Sequence, residues 1–184
     1  MSNPMKLIQD QWEIERLVEI YQNLKPYRVL EIGTYLGGTL WYWLKYAQEG
    51  ALVCTIDDFN AAKNESDKET LMSIWASWVP NKVKLSIIEG KSGKNETLIM
   101  LKDFMQGELD FLFIDGSHKY EDVKMDYEMY GSLVKKGGVI ALHDIGGKDD
   151  VYRLWDEIRE SHCTEELINM NRDKPDYGIG VRYV

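Results

Sequence analysis

Cysteine is nearly absent from this chain: Cys54 and Cys163 are the only two in 184 residues. They lie far apart and share no metal-ligand spacing, and Cys54 falls in an apolar run that reads as a buried strand. Histidine is almost as scarce, with three residues, and proline has four. No apolar stretch approaches the roughly 18 residues that a membrane span needs. The N-terminal Met1-Ser2-Asn3-Pro4 lacks a basic region followed by an apolar block, so no secretory signal is visible and a cytoplasmic location is expected. Basic excess is missing too: 22 Lys and Arg face 31 Asp and Glu, a net charge of −9. An acidic surface of that size argues against a protein that grips nucleic-acid phosphates or anionic lipid by bulk field.

What is present belongs to an ordinary globular chain: 44% apolar and 11% aromatic residues, enough for a full-sized core in one domain spanning 1–184. Residues 6 to 24 space Leu7, Ile8, Ile14, Leu17, Val18, Ile20 and Tyr21 as an amphipathic helix, and Pro26 closes this leading segment (1–26). A core follows over 28–145. Its strands are expected at 28–33, 52–56, 83–88, 111–114 and 139–142, and its helices at 40–47, 69–78, 95–105 and 121–134. Residues 59–68 are polar and read as a loop, and Lys135 to Gly138 as a turn. The remaining 146–184 offer a helix over 151–161 and two short apolar segments, 167–170 and 178–184, that suit an antiparallel hairpin at a sheet edge. Strands alternating with helices predict an α/β, doubly wound, mostly parallel sheet of about seven strands, the last antiparallel, with helices on both faces.

The chemistry gathers at strand ends. Phe111-Leu112-Phe113-Ile114 is apolar throughout, as a strand buried on both faces requires, and stops at Asp115-Gly116-Ser117-His118. Val139-Ile140-Ala141-Leu142 ends in His143-Asp144. Open α/β sheets place their sites at the carboxyl ends of strands, so Asp115, His118, His143 and Asp144 converge if the two strands are neighbours. Asp115 or Ser117 would otherwise serve as a cap for the next helix.

Gly33, Gly37 and Gly38 make a glycine-rich turn between the first strand and its helix. Their spacing matches neither the dinucleotide GxGxxG nor the phosphate-cradling GxxxxGK[ST] pattern. What remains is a ligand with a ribose and a small anionic end, with Asp57 at the second strand's end placed to take ribose hydroxyls. The plainer alternative is that the glycines only permit tight packing of strand against helix.

Glu31-Ile32-Gly33-Thr34-Tyr35-Leu36-Gly37-Gly38-Thr39 resembles the first motif of class I S-adenosylmethionine-dependent methyltransferases, in particular the metal-dependent O-methyltransferases. Catechol O-methyltransferase, the macrolide-sugar O-methyltransferases and the cephalosporin-hydroxylase-like group share it. Asp115-Gly116-Ser117-His118-Lys119-Tyr120-Glu121 is similar to the DGSHxYE signature of the last two. The resemblance covers residues 28 to 145 and implies a Rossmann-like fold and S-adenosylmethionine as cofactor. It places Glu31, Gly33, Tyr35, Gly37 and Thr39 at the methionine part, Asp57 at the ribose, Ser92 at adenine and Asp115 nearby. It further implies a divalent magnesium or manganese ion on Asp115, His143 and Asp144, with His118 as general base toward a hydroxyl of a sugar, polyketide or similar small molecule. A hydroxyl is a poor nucleophile until its proton is loosened, and histidine suits that task.

His143 departs from the acidic residue that the resemblance leads one to expect. An imidazole there softens the ligand set toward manganese or iron, or leaves His118 to work without a metal. Two alternatives follow: an oxidative enzyme of the cephalosporin-hydroxylase-like group, or a non-catalytic S-adenosylmethionine-binding module. Trp41, Trp43, Trp75 and Trp78 read as core anchors, and so do Met125 and Met129. Gly146 to Asp150, residues 59–68 and Asn171 to Tyr177 are the loops that could border an acceptor. The edge hairpin and leading helix offer surfaces for a homodimer. No nucleic-acid or membrane partner is expected.

Overall fold

The computed structural model describes residues 5, 7–147, 150–160, 162–170 and 177–184. Seven strands form one sheet: β1 (Arg28–Ile32), β2 (Leu52–Asp57), β3 (Lys84–Glu89), β4 (Leu109–Ile114), β5 (Val134–His143), β6 (Cys163–Leu167) and β7 (Ile179–Tyr183). Their order is β3-β2-β1-β4-β5-β7-β6, and only β7 runs antiparallel to its neighbours. Six helices cover the faces: α1 (Gln11–Leu24), α2 (Gly38–Lys45), α3 (Glu65–Ser77), α4 (Asn95–Met105), α5 (Tyr120–Gly131) and α6 (Asp150–Arg159). The doubly wound, Rossmann-like expectation is borne out, including the one antiparallel strand.

Alternation along the strands feeds two cores. Val29, Val53, Phe111, Phe113 and Val139 pack under α1, α2 and α3, where Tyr21, Trp43 and Trp75 are fully buried. Leu30, Cys54, Leu112, Ile114 and Ile140 face the other way, beneath α4, α5 and α6. The phenol of Tyr21 crosses the first core to donate to the Trp43 carbonyl at 2.9 Å, and its ring meets Phe111 edge-on at 5.1 Å between centroids. Burial of both faces explains why β4 reads as an unbroken apolar run.

The chain winds outward from β1 through β2 to β3 and then returns to lay β4 on the other side of β1. That reversal leaves a crevice above the carboxyl ends of β1, β2 and β4, the position at which such sheets bind ligands.

Several boundaries differ from expectation. Helix α1 begins at Gln11 rather than residue 6, because Asp10 caps it by accepting from Trp12 N and Glu13 N. Helix α3 starts at Glu65, inside the stretch read as a loop, with Asn64 as its cap. Lys135 to Gly138 is not a turn but the first half of β5; the register against β4 shifts between Leu109 and Phe111, and Gly137 sits at φ +81°. The edge hairpin forms, though its first strand is Cys163–Leu167 rather than 167–170. Residues 148–149, 161 and 171–176, which were read as parts of a loop, a helix end and an acceptor border, lie outside the described residues.

Candidate active site

A cavity of about 900 Å³ opens over the carboxyl ends of β1, β2, β4 and β5. Gly33, Tyr35, Thr39, Asp57, Ser92, Asp115, His118, His143 and Asp144 all line it, so nine of the residues singled out from sequence meet in one space.

The glycine turn is fixed by its neighbours. Gly33 has φ +83°, and a Cβ on it would lie 2.1 Å from the Asp115 carbonyl oxygen, so β1 and β4 approach too closely for any side chain. Asp57 braces the turn: Oδ2 accepts from Thr34 N at 2.7 Å and Tyr35 N at 2.9 Å, and Oδ1 from Phe59 N at 2.6 Å. A carboxylate that already accepts three amides still has lone pairs for a ligand, and it also explains how the turn stays open.

Glu31 and Gly37, which the resemblance assigns to the cofactor, are not on the cavity wall. Glu31 is fully buried, accepting from Thr39 Oγ1, Trp43 Nε1 at 3.0 Å and Thr55 Oγ1 at 3.4 Å. Burial pushes its carboxyl up to about 8, against the hydrogen bonds from Thr39 and Trp43. Gly37 caps α2 at φ +86°, where a Cβ would stand 2.4 Å from the Trp75 indole nitrogen. Both hold α2 to the sheet beneath the turn.

The acid–histidine cluster closes the opposite end. His118 Nε2 lies 3.0 Å from Asp144 Oδ2. His143 Nδ1 lies 3.1 Å from Asp115 Oδ1 and 3.2 Å from Asp144 Oδ1. The His143 side chain is 3% exposed, and its Nε2 has no hydrogen-bond partner. Burial disfavours its charge, yet Asp115 and Asp144 together overcome that and push the imidazole up to about 10. His143 is therefore a buried cation between two carboxylates, and a protonated ring is no metal ligand. The ligand atoms that converge within 4.8 Å of one another belong to Asp115, His118 and Asp144.

Three contributors escaped the sequence reading. Gln9, ahead of α1, donates through Nε2 to Asp115 Oδ2 from 106 residues away. Tyr177 stacks on His143 with centroids 6.0 Å apart. Met125, read as core, lines the cavity and presses on Gly93. Only Tyr177 lay in a segment flagged as an acceptor border; nothing in local spacing marks Gln9.

Among the described residues, no helix is long and apolar enough to cross a membrane. Residues 30–145 match the family model described as a methyltransferase domain. An uncharacterized protein of Acanthamoeba polyphaga mimivirus is 31% identical over 118 residues, which is 62% of this chain and 50% of that protein. The chain thus spans about half the length of that curated relative. Among solved structures, the O-methyltransferase from Bacillus cereus in complex with SAH superposes with TM-score 0.70 at 17% identity, covering 99% of this chain and 84% of that one. TomG, an O-methyltransferase from Streptomyces achromogenes involved in tomaymycin synthesis and solved with SAM, gives 0.67 at 16%, covering 93% and 79%. An rRNA methylase from Streptococcus thermophilus gives 0.67 at 10%, covering 97% and 99%. At these identities the structures show a shared fold. With the sheet, the strand-end cavity and the matched domain in hand, this chain belongs to the methyltransferase-domain family.

Proposed function

We propose that the protein transfers a methyl group from S-adenosylmethionine to a hydroxyl of a small molecule. The single observation that carries this is the meeting, in one cavity, of the Asp57-braced glycine turn with the Asp115, His118 and Asp144 cluster. The turn and Asp57 suit a nucleoside with an amino-acid tail. The cluster suits an oxygen that must lose its proton.

In the reaction the acceptor oxygen attacks the methyl carbon in line with sulfur. The carbon–sulfur bond breaks, the sulfonium becomes a neutral thioether, and the hydroxyl proton leaves to a base. His118 is the base in reach, with Asp144 holding its Nε2 and leaving Nδ1 for the proton. Gln9 and His143 fix the Asp115 carboxylate from two sides. Bringing acceptor and methyl together in the cavity supplies much of the remaining acceleration.

Asp115, His118 and Asp144 also fit a divalent cation, two carboxylates and one imidazole being an acceptable donor set for magnesium or manganese. A bound ion would lower the pKa of a coordinated hydroxyl. His118 Nε2 cannot serve as ligand while it donates to Asp144.

Calorimetric titration with S-adenosylhomocysteine, with and without manganese, tests the reading. Micromolar binding supports it, and a heat that appears only with manganese assigns the cluster to a cation. Absence of binding under both conditions removes the methyltransferase activity. The fold is shared with an rRNA methylase, but a net charge of −9 favours a small acceptor over RNA. Two imidazoles flank Asp144, which also keeps an oxidative iron enzyme in view; oxygen consumption with iron would mark it.

A further inference from the structure

Helix α5 holds a buried acid that the chemistry at the strand ends does not use. Asp126 is 1% exposed, and its Oδ1 has no hydrogen-bond partner. Burial pushes its carboxyl up to about 6, with the Ser92 hydroxyl pulling the other way and Asp122 adding to the rise. A carboxyl so placed is costly to keep unless it organises something around it.

Its surroundings are the two loops that bound one end of the cavity. From the β3–α4 loop, the Ser92 hydroxyl donates to Asp126, while the Ser92 carbonyl is held by the Tyr130 phenol at 2.5 Å. From the β4–α5 loop, Gly116 comes so close that a Cβ on it would lie 3.9 Å from Asp126 Oδ2. Met125 presses on Gly93, where a Cβ would meet its Cε at 2.1 Å. Ser92, Gly93, Gly116 and Met125 line the cavity, and Asp126 stands behind them.

A serine hydroxyl has one proton and two lone pairs, so left alone it can face a ligand as donor or acceptor. Once its proton is committed to a buried carboxylate it can only accept. We propose that Asp126 makes Ser92 an obligate hydrogen-bond acceptor, and so selects a nucleobase edge bearing an N–H, the exocyclic amine of a 6-aminopurine, over a 6-oxopurine. This rests on the S-adenosyl reading above. A 6-oxopurine would bring a carbonyl oxygen against the serine lone pairs and leave two acceptors unpaired. Asp126 is a positioning residue: it acts through Ser92 and does not touch the ligand.

The test is calorimetric titration of S-adenosylhomocysteine and S-inosylhomocysteine into wild type, Asp126→Asn and Ser92→Ala, with thermal melts as the folding control. Wild type should prefer the adenosyl compound by about thirtyfold or more, the size of one unmatched buried hydrogen bond. In Asp126→Asn the amide can donate to the Ser92 oxygen and turn its proton toward the cavity. The preference should then fall to within about threefold, and Ser92→Ala should do the same. A mere packing role for Asp126 would weaken both compounds alike and leave the ratio intact, which would overturn the proposal. If Asp126→Asn does not fold, the ratios of wild type and Ser92→Ala decide. Wild type binding both compounds equally overturns this proposal alone; wild type binding neither overturns the methyltransferase reading with it.

Discussion

His118 Nε2 lies 3.0 Å from Asp144 Oδ2, and Asp144 holds that place with a backbone φ of +63°. The left-handed turn at the end of β5 is uncommon for a residue with a side chain, though aspartate tolerates it better than most. Here it turns the carboxylate to face both His118 and His143. His118 itself is well exposed, so its removal leaves the core untouched. His118→Ala should keep S-adenosylhomocysteine affinity within twofold of wild type. Methyl transfer should fall by about a hundredfold or more, the usual worth of a positioned base. Initial rates with a panel of hydroxyl acceptors are the measurement, and unchanged rates would take His118 out of the mechanism.

His143 supplies the positive charge between Asp115 and Asp144. His143→Asp replaces that cation with a third carboxylate. Without metal the variant should melt below wild type, because three buried like charges repel. Manganese should restore the melting temperature, and calorimetry should show manganese binding at least about tenfold tighter than in wild type. Equal affinities in the two proteins would mean that cations do not bind at this cluster.

Asp57, Asp115, His118 and Asp144 were legible because they follow apolar strands, and parallel topology forces strand ends together. The same rule says nothing about side-chain depth. Glu31 sits in a motif associated with the cofactor, yet its neighbours Thr39 and Trp43 on α2 and Thr55 on β2 draw it fully inside. Gln9 and Glu13 belong to a segment whose local pattern shows only an amphipathic helix. Their partners lie 106 and more residues away, and no periodicity encodes such contacts.

Glu13 is a case in point: it is 2% exposed, and no cation pairs with it among the described residues. Its Oε1 accepts from Asn169 N at 2.9 Å and its Oε2 from Gly178 N at 3.0 Å, fastening both ends of the segment that brings Tyr177 onto His143. Glu13→Ala leaves two amides without partners, at about 1–3 kcal/mol each if they stay buried. Hydrogen exchange at Asn169 and Gly178 should accelerate, and methyl transfer should fall more than S-adenosylhomocysteine affinity. Unaltered exchange at both amides would show that β6 and β7 hold the segment without Glu13.

Glu31 makes stability depend on pH in a direction opposite to a surface carboxylate. Burial raises its folded pKa to about 8, while the unfolded chain returns it to the ordinary carboxylate range. The folded state therefore holds the proton more tightly. Its contribution is complete below the unfolded value and is lost as pH rises through about 8. Glu31→Gln keeps an oxygen for Thr39 and Trp43, both of which donate to the same Oε1, and removes the charge. Near pH 5 the variant should melt close to wild type. The gap should open with pH and level off above pH 9, with the variant higher by about 5 °C if the ionised carboxylate costs about 2 kcal/mol. Because His143 and Asp126 titrate alike in both proteins, the difference between the two melting curves isolates Glu31. Parallel curves from pH 5 to 9 would mean that the carboxylate is solvated in the folded protein and that the turn rests on Asp57 alone.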